Sequence, residues 1–164
     1  MNIVMKWYVV DTRPRWEKKV HNSLVDKGIE CFCPINKVYR QWSDRVKMVE
    51  EPLFPSQVFV KICDNDRTSV RMTAGVRNFV YKNGKPTVIR EKEIQNLKKF
   101  LDNYSNIRFF KNPIDQSNFL AELSELNESL PYPARKKISK HASCKVDSLQ
   151  YVLIADIRHG ILSF

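Results

Sequence analysis

Apolar positions along the chain change period several times, and each change marks an element. Trp7-Tyr8-Val9-Val10 is an unbroken apolar run within Lys6 to Thr12, the composition of a strand covered on both faces, and Pro14 closes it. Trp16, Val20 and Leu24 then recur every fourth residue, which puts them on one stripe of a helix over Trp16 to Lys27. Gly28 stands where a left-handed C-terminal cap belongs. A second strand near Ile29 to Tyr39 is interrupted by Pro34. The polar tip Gln41-Trp42-Ser43-Asp44-Arg45, between Val38-Tyr39 and Val46, Met48 and Val49, reads as a β-hairpin.

Pro52 and Pro55 bracket Leu53-Phe54, and a buried strand is predicted over Gln57 to Ile62. Asp64-Asn65-Asp66 carry the side-chain oxygens to cap a short helix through Met72, which Gly75 ends. Val76 to Tyr81 is a further strand, Asn83-Gly84 a turn whose residues both tolerate positive φ, and Thr87-Val88-Ile89 the return. A helix follows from Glu91 to Leu101, with Ile94, Leu97 and Leu101 as its apolar face and Glu91 and Glu93 at its positive end. The order β-α-β-hairpin-β-α-β-β-α predicts an α+β fold, an antiparallel sheet flanked by helices, and not a doubly wound parallel sheet.

The pattern loosens after Asp102. The expected organisation is one domain over residues 5–102, a polar linker over 103–118 containing Pro113, and a small C-terminal appendage over 119–164. In that appendage Phe119, Leu123, Leu126 and Leu130 share a helix face up to Pro131-Tyr132-Pro133. A basic stretch with Arg135, Lys136, Lys137, Lys140 and Lys145 follows, then the strand-like run Leu149 to Ile157 and finally Ile161-Leu162.

Composition narrows the function classes. The 164 residues are 43% hydrophobic, enough for a core, and the net charge of +10 favours a polyanionic partner. The start Met1-Asn2-Ile3-Val4-Met5-Lys6 has no basic n-region or long apolar stretch, and no run is long enough to cross a membrane. A cytoplasmic protein with Cys31, Cys33, Cys63 and Cys144 as free thiols is expected. Cys31-x-Cys33 is too tight for the usual zinc pairs and alternates along a strand, so both thiols are expected to act as small buried hydrophobes. His21, His141 and His159 are scattered, and no phosphate-cradling glycine loop occurs among the four glycines. No enzyme activity, metal or cofactor is expected.

Two basic features admit two readings each. Arg13, Arg15, Lys18 and Lys19 at the first strand–helix junction are either a solvated helix end or a patch that tracks phosphates. Trp42 and Arg45 at the hairpin tip are either a contact site, with Trp42 stacking on a base, or a tip that folds back on the sheet.

Four blocks in register carry a resemblance. They are Lys6-Trp7-Tyr8-Val9-Val10 with Trp16-Glu17-Lys18-Lys19-Val20 and Pro34; Trp42-Ser43-Asp44-Arg45 with Glu51-Pro52-Leu53-Phe54-Pro55-Ser56-Gln57-Val58-Phe59-Val60; Thr73-Ala74-Gly75-Val76 through Phe79-Val80; and Gly84-Lys85-Pro86 with Ile89 to Ile94. Over residues 5 to 101 this resembles the N-terminal domain of NusG-type transcription factors, in the flavour of the specialised RfaH-like and UpxY-like members that act on selected operons such as surface polysaccharide clusters.

The resemblance implies a monomeric, non-enzymatic factor that binds RNA polymerase, bridges its cleft and carries transcription past pauses and terminators. The implied clamp-binding positions are Tyr8, Phe54, Phe59, Thr73, Phe79, Ile94 and Leu97, with Phe54 expected at the interface and Phe59 in the core. Asn65, Asp66, Arg67 and Thr68 would face the opposite lobe, while Arg13, Arg15, Lys18, Trp42 and Arg45 would meet non-template DNA or nascent RNA. Two departures stand out. Ser56-Gln57 occupy the place where the family usually has Gly-Tyr. Residues 105–164 hold one glycine, Gly160, and lack the glycine-rich turn of the family's C-terminal barrel, so a divergent or truncated tail is expected, whose helix either masks the clamp-binding face or is a solvated linker helix. The competing class is a general nucleic-acid-binding module acting through its basic surface.

Overall fold

The computed structural model describes residues 3–111, 121 and 141–156. The chain divides into two compact units, one of residues 1–35 and 52–95, the other of residues 36–51 and 96–164.

The first unit is built on an antiparallel sheet. Its strands are β1 (Lys6–Thr12), β2 (Glu30–Phe32), β5 (Gln57–Ile62), β6 (Val76–Phe79) and β9 (Val88–Ile89). They lie in the order β2-β5-β1-β6, with β9 also paired to β1. β1 is central because its apolar run suits burial on both sides, and it pairs with β5 in the register Tyr8↔Val60 and Val10↔Val58. Side chains alternate between faces along each strand. Tyr8, Val10, Val58, Val60, Ile62 and Phe79 form one core with Val20 and Leu24 of helix α1 (Glu17–Asp26) and Val70 of helix α2 (Arg67–Arg71). Cys31 and Cys33 pack against the same core, as alternate strand residues should. Trp7, Val9 and Phe59 point to the opposite face and are equally buried. Helix α3 (Glu91–Asn103) starts on that side: the Trp7 indole N–H donates to Glu91 at 2.7 Å, and Lys61 pairs with the same carboxylate at 3.1 Å.

Several local expectations hold. Asn83 and Gly84 take φ of 52° and 75° and join the short strands β7 (Tyr81–Lys82) and β8 (Lys85–Pro86). Gly28 ends α1 at φ 75°. Other expectations need correcting. The strand predicted across Pro34 is two strands, because proline has no N–H to give a ladder. β2 stays in the sheet, whereas β3 (Ile35–Gln41) leaves to pair with β4 (Val46–Pro52). Asp64-Asn65-Asp66 form a 3-10 turn ahead of α2 without a side-chain cap. On α3, Phe100 and not Leu101 is buried with Ile94 and Leu97. Glu93 is also buried and accepts the backbone N–H of Arg90 at 3.0 Å, closing the helix start.

The second unit holds the β3–β4 hairpin, α3 from Asn96 onward, and a three-stranded antiparallel sheet in the order β10-β12-β11. Its strands are β10 (Arg108–Phe110), β11 (His141–Val146) and β12 (Tyr151–Asp156). β10 lies inside the segment expected to be linker. Its Phe109 packs against Tyr151, the rings tilted with centroids 5.6 Å apart. β11 falls in a stretch notable by sequence for its lysines, yet its Cys144 and Val146 alternate with exposed Ser143 and Lys145 as in any half-covered strand. Buried Asn36 donates to the carbonyl of Ile107 at 2.8 Å and accepts that residue's N–H at 3.0 Å. The side-chain amide thus takes the place of a neighbouring strand's backbone. The helix expected over Phe119 to Leu130, the Pro131-Tyr132-Pro133 stop, the basic residues Arg135 to Lys140 and the terminal Ile161-Leu162 lie outside the described residues. No described helix is long and apolar enough to cross a membrane.

Candidate functional site

The first cationic cluster is made by the turn from β1 into α1. The N–H of Arg13 donates to the Gly75 carbonyl, and the N–H of Trp16 to the Arg13 carbonyl, so the junction doubles back tightly with Arg15 at φ 66°. Trp16 organises the charges: the Arg13 guanidinium lies 5.5 Å and the Lys19 ammonium 4.2 Å from its ring centre. The ring faces attract both cations. Arg13, Arg15, Lys18 and Lys19 are all exposed, so the junction presents four cations within one turn of chain.

The hairpin of the second unit carries the other cluster. The Trp42 N–H donates to the Arg45 carbonyl at 2.7 Å and closes the tip. Trp42 is 47% exposed, with Lys47 4.7 Å from its ring centre, and Val46 and Met48 are also exposed. The hairpin's own Lys47 thus covers one face of an indole that stays part-exposed. Arg40 and Glu51 brace the two strands through contacts of 3.1 and 3.2 Å.

The seven positions implied for the clamp are arranged differently from the single patch expected. Every one of them is at most 4% exposed. Tyr8 and Phe79 belong to the core beneath α1 and α2, edge to face at 5.8 Å. Phe59 is on the other face of the sheet, and Phe54 meets it edge to face at 5.9 Å. Phe54, expected at the surface, is therefore as deeply packed as Phe59. Thr73 accepts a bond from the Lys27 ammonium at 2.9 Å and donates to the Ser69 carbonyl at 3.1 Å, ties that seat α2 against α1. Ile94 and Leu97 form the buried stripe of α3.

Of the positions implied for the opposite lobe, Asn65, Asp66 and Thr68 are exposed. Arg67 turns inward. Its guanidinium donates to Asp64 at 2.8 Å and to the Tyr8 hydroxyl at 3.3 Å, while that hydroxyl donates to the same Asp64 oxygen at 2.7 Å. The Tyr8 hydroxyl, aided by the positive charge of Arg67, holds the Asp64 carboxyl below the usual carboxylate range. Burial pushes the thiols of Cys31 and Cys33 up to about 11, which makes them poor nucleophiles at neutral pH.

With this geometry in place, comparison with known proteins decides the family. The family model described as transcription termination factor nusG matches residues 5–98. The chain belongs to the NusG family. NusG-family proteins are transcription factors and not enzymes. Two curated relatives bear the name transcription termination/antitermination protein NusG. The one from Lactococcus lactis is 32% identical over 105 residues, and the one from Chlamydia trachomatis 31% over 105 residues. The alignments take in 56% and 57% of this chain and 57% of each relative, so the chain spans little more than half the length of the relatives it matches. A solved structure titled domain interaction in Thermotoga maritima NusG is 27% identical over 60% of this chain and 58% of its own, with a TM-score of 0.40.

Against this NusG-family frame, several structural side chains had no sequence signal. Tyr8 and Asp64 are 56 residues apart, Trp7 and Glu91 84, and Asn36 and Ile107 71, so each pair meets only through the fold. Lys47 over Trp42 and Arg40 with Glu51 are contacts within one hairpin that a register could have suggested.

Proposed function

We propose that this NusG-family chain is a transcription elongation and antitermination factor that binds RNA polymerase and carries it past pauses and terminators. The selected operons of specialised members, such as surface polysaccharide clusters, are its proposed targets, and the cytoplasm its place of action. The observation that carries this reading is the family match over residues 5–98. A bound factor shifts the polymerase toward the state it binds more tightly, so no chemistry is required of the chain itself.

The proposed contacts draw on the residues that the structure leaves exposed. Exposed Arg13, Arg15 and Lys18 at the first junction, and Trp42 and Arg45 at the hairpin tip, suit non-template DNA or nascent RNA: cations neutralise phosphates and an open indole can stack on a base. Asn65, Asp66 and Thr68 are the available part of the opposite-lobe contact, with Arg67 holding that segment in shape. For the clamp, Phe54, Phe59, Ile94 and Leu97 become usable only if this part of the chain opens, because each is buried in the conformation described. Tyr8, Thr73 and Phe79 then act by supporting the sheet and helices.

The deciding experiment is transcription in vitro across a terminator, with and without the protein. Increased readthrough on at least one template, together with retention of the protein on polymerase, is the expected result. Unchanged readthrough on every template, including the leader of its own operon, overturns the proposal. Binding to nucleic acid that weakens steeply with salt and needs no polymerase points instead to a general nucleic-acid-binding module.

A further inference from the structure

Within the second unit, a groove of about 460 Å³ runs between the later half of α3 and strand β11. Asn96, Lys99 and Asn103 line one wall, and Ser143, Cys144 and Lys145 the other. The helix residues follow the spacing of one helical face. The strand residues are more telling. Consecutive residues of a strand point to opposite faces, and a groove lined by three in a row fits one that runs along the strand's edge. Among the described residues β11 pairs on one side only, with β12, where Ser143 is opposite Ile154 and Lys145 opposite Val152. The groove therefore lies where β11 has a backbone edge to offer.

We propose that this groove binds an extended acidic peptide of a partner protein, which adds as a strand to the edge of β11. Three features select that occupant. An edge strand offers N–H and C=O groups at a spacing that only another extended backbone matches residue for residue. Among the described residues, the groove's charged side chains are Lys99 and Lys145, one on each wall, and no carboxylate lines it. An incoming strand with alternate acidic side chains can reach both. Finally, the amides of Asn96 and Asn103 and the hydroxyl of Ser143 are donors and acceptors suited to a polar rim.

A single-stranded nucleic acid is also anionic but fits less well. It gains much of its affinity by stacking bases on open aromatic faces. The aromatic residues here are Phe100, which is 7% exposed, and Tyr104, whose ring packs against it at a tilt, centroids 4.8 Å apart. Phe100 is buried and Tyr104 half-buried, so neither is as exposed as Trp42. The proposal is independent of the polymerase reading: it concerns a different surface and needs no transcription complex.

The test is a fluorescence anisotropy titration of the full chain with three probes at constant salt. The first is a labelled peptide alternating valine and glutamate; the second is the same peptide with N-methylated backbone on alternate residues; the third is an oligothymidylate. The acidic peptide is expected to bind. Lys99→Glu combined with Lys145→Glu, both changes at exposed positions, should weaken it at least about tenfold, the loss expected when two charge contacts become repulsions. Backbone methylation should weaken it as strongly, because it removes strand pairing while keeping every carboxylate. That arm leaves the protein untouched and so decides the matter even if the double variant fails to fold. No binding by the acidic peptide, equal binding by its methylated twin, or tighter oligothymidylate binding that depends on Lys99 and Lys145 each overturns the proposal.

Discussion

The backbone N–H of Ser56 donates to the carboxylate of Glu17 at 2.7 Å, pinning the turn before β5 to the first turn of α1. The turn runs Phe54-Pro55-Ser56-Gln57, closed by a bond from the Gln57 N–H to the Phe54 carbonyl, and Ser56 sits at φ 62°. Proline second and a positive φ third is the pattern of a type II turn, whose third place normally calls for glycine. A serine there is strained by roughly 1–2 kcal/mol. Ser56→Gly should therefore be neutral or stabilising by up to about 1 kcal/mol, the relief being partly offset by glycine's greater freedom in the unfolded chain. Ser56→Val, branched at Cβ, should cost about 1–3 kcal/mol at the same place. Urea unfolding midpoints of the two variants check the ordering.

The Tyr8–Asp64–Arg67 network predicts a pH signature. Asp64 has its folded-state pKa lowered, first by the Tyr8 hydroxyl. A lowered carboxylate contributes stability above its unfolded pKa of about 3.9 and loses it as pH falls through the folded value. Tyr8→Phe deletes the principal cause, so its stability profile should be flatter below about pH 4 than that of the parent chain. Parallel acid-side profiles in parent and variant would show that the bond contributes nothing in solution.

At Gly75 the backbone, at φ 91°, passes so close to α1 that an added Cβ would stand 2.5 Å from the Trp16 ring and 2.8 Å from Val20. Neither ring nor branched methyl can yield that far in a packed core. Gly75→Ala should cost more than about 2 kcal/mol, combining overpacking with backbone strain. Adding Trp16→Leu should recover part of the loss, a coupling that a double-mutant cycle by thermal unfolding reads directly.

Charge reversal at the first junction separates phosphate contact from mere solvation. Arg15→Glu with Lys18→Glu should lower affinity for single-stranded DNA and flatten the dependence of log K on log salt by about 0.7 per contact removed. Fold should be unaffected, since both residues are exposed. An unchanged salt slope would assign these cations to solvent.

Much of the first unit was legible because its signals are local. The unbroken run of β1, the four-residue period of α1, Gly28 and Asn83-Gly84 each dictate geometry within a few residues. The candidate contact residues were harder for a physical reason. An aromatic residue that anchors a partner and one that fills a core share the same composition and spacing, so Phe54 gave no hint of its burial, and the buried run containing Tyr8 did not by itself separate core from contact. β1 compounds this, since a strand covered on both sides carries no alternation to show which face is which. Exposed cations and Trp42 were easier, because a polar neighbourhood usually stays polar in the fold. β10 escaped notice because it is three residues long and pairs with β12, a partner distant in sequence, whereas β11 pairs with β12 across a short link and was hidden by its polar, lysine-bearing composition.

The Asn36–Ile107 clasp also bears on how the molecule is made. A ribosome delivers the hairpin well before it delivers Ile107. During that interval the Asn36 amide can be satisfied only by water, and the hairpin cannot reach its final seat. The early-made sheet is free to close meanwhile, leaving the hairpin as a waiting arm that docks when the later chain emerges. Nascent chains stalled just before and well after Ile107 clears the ribosome should differ in how readily a protease cuts between Gln41 and Val46.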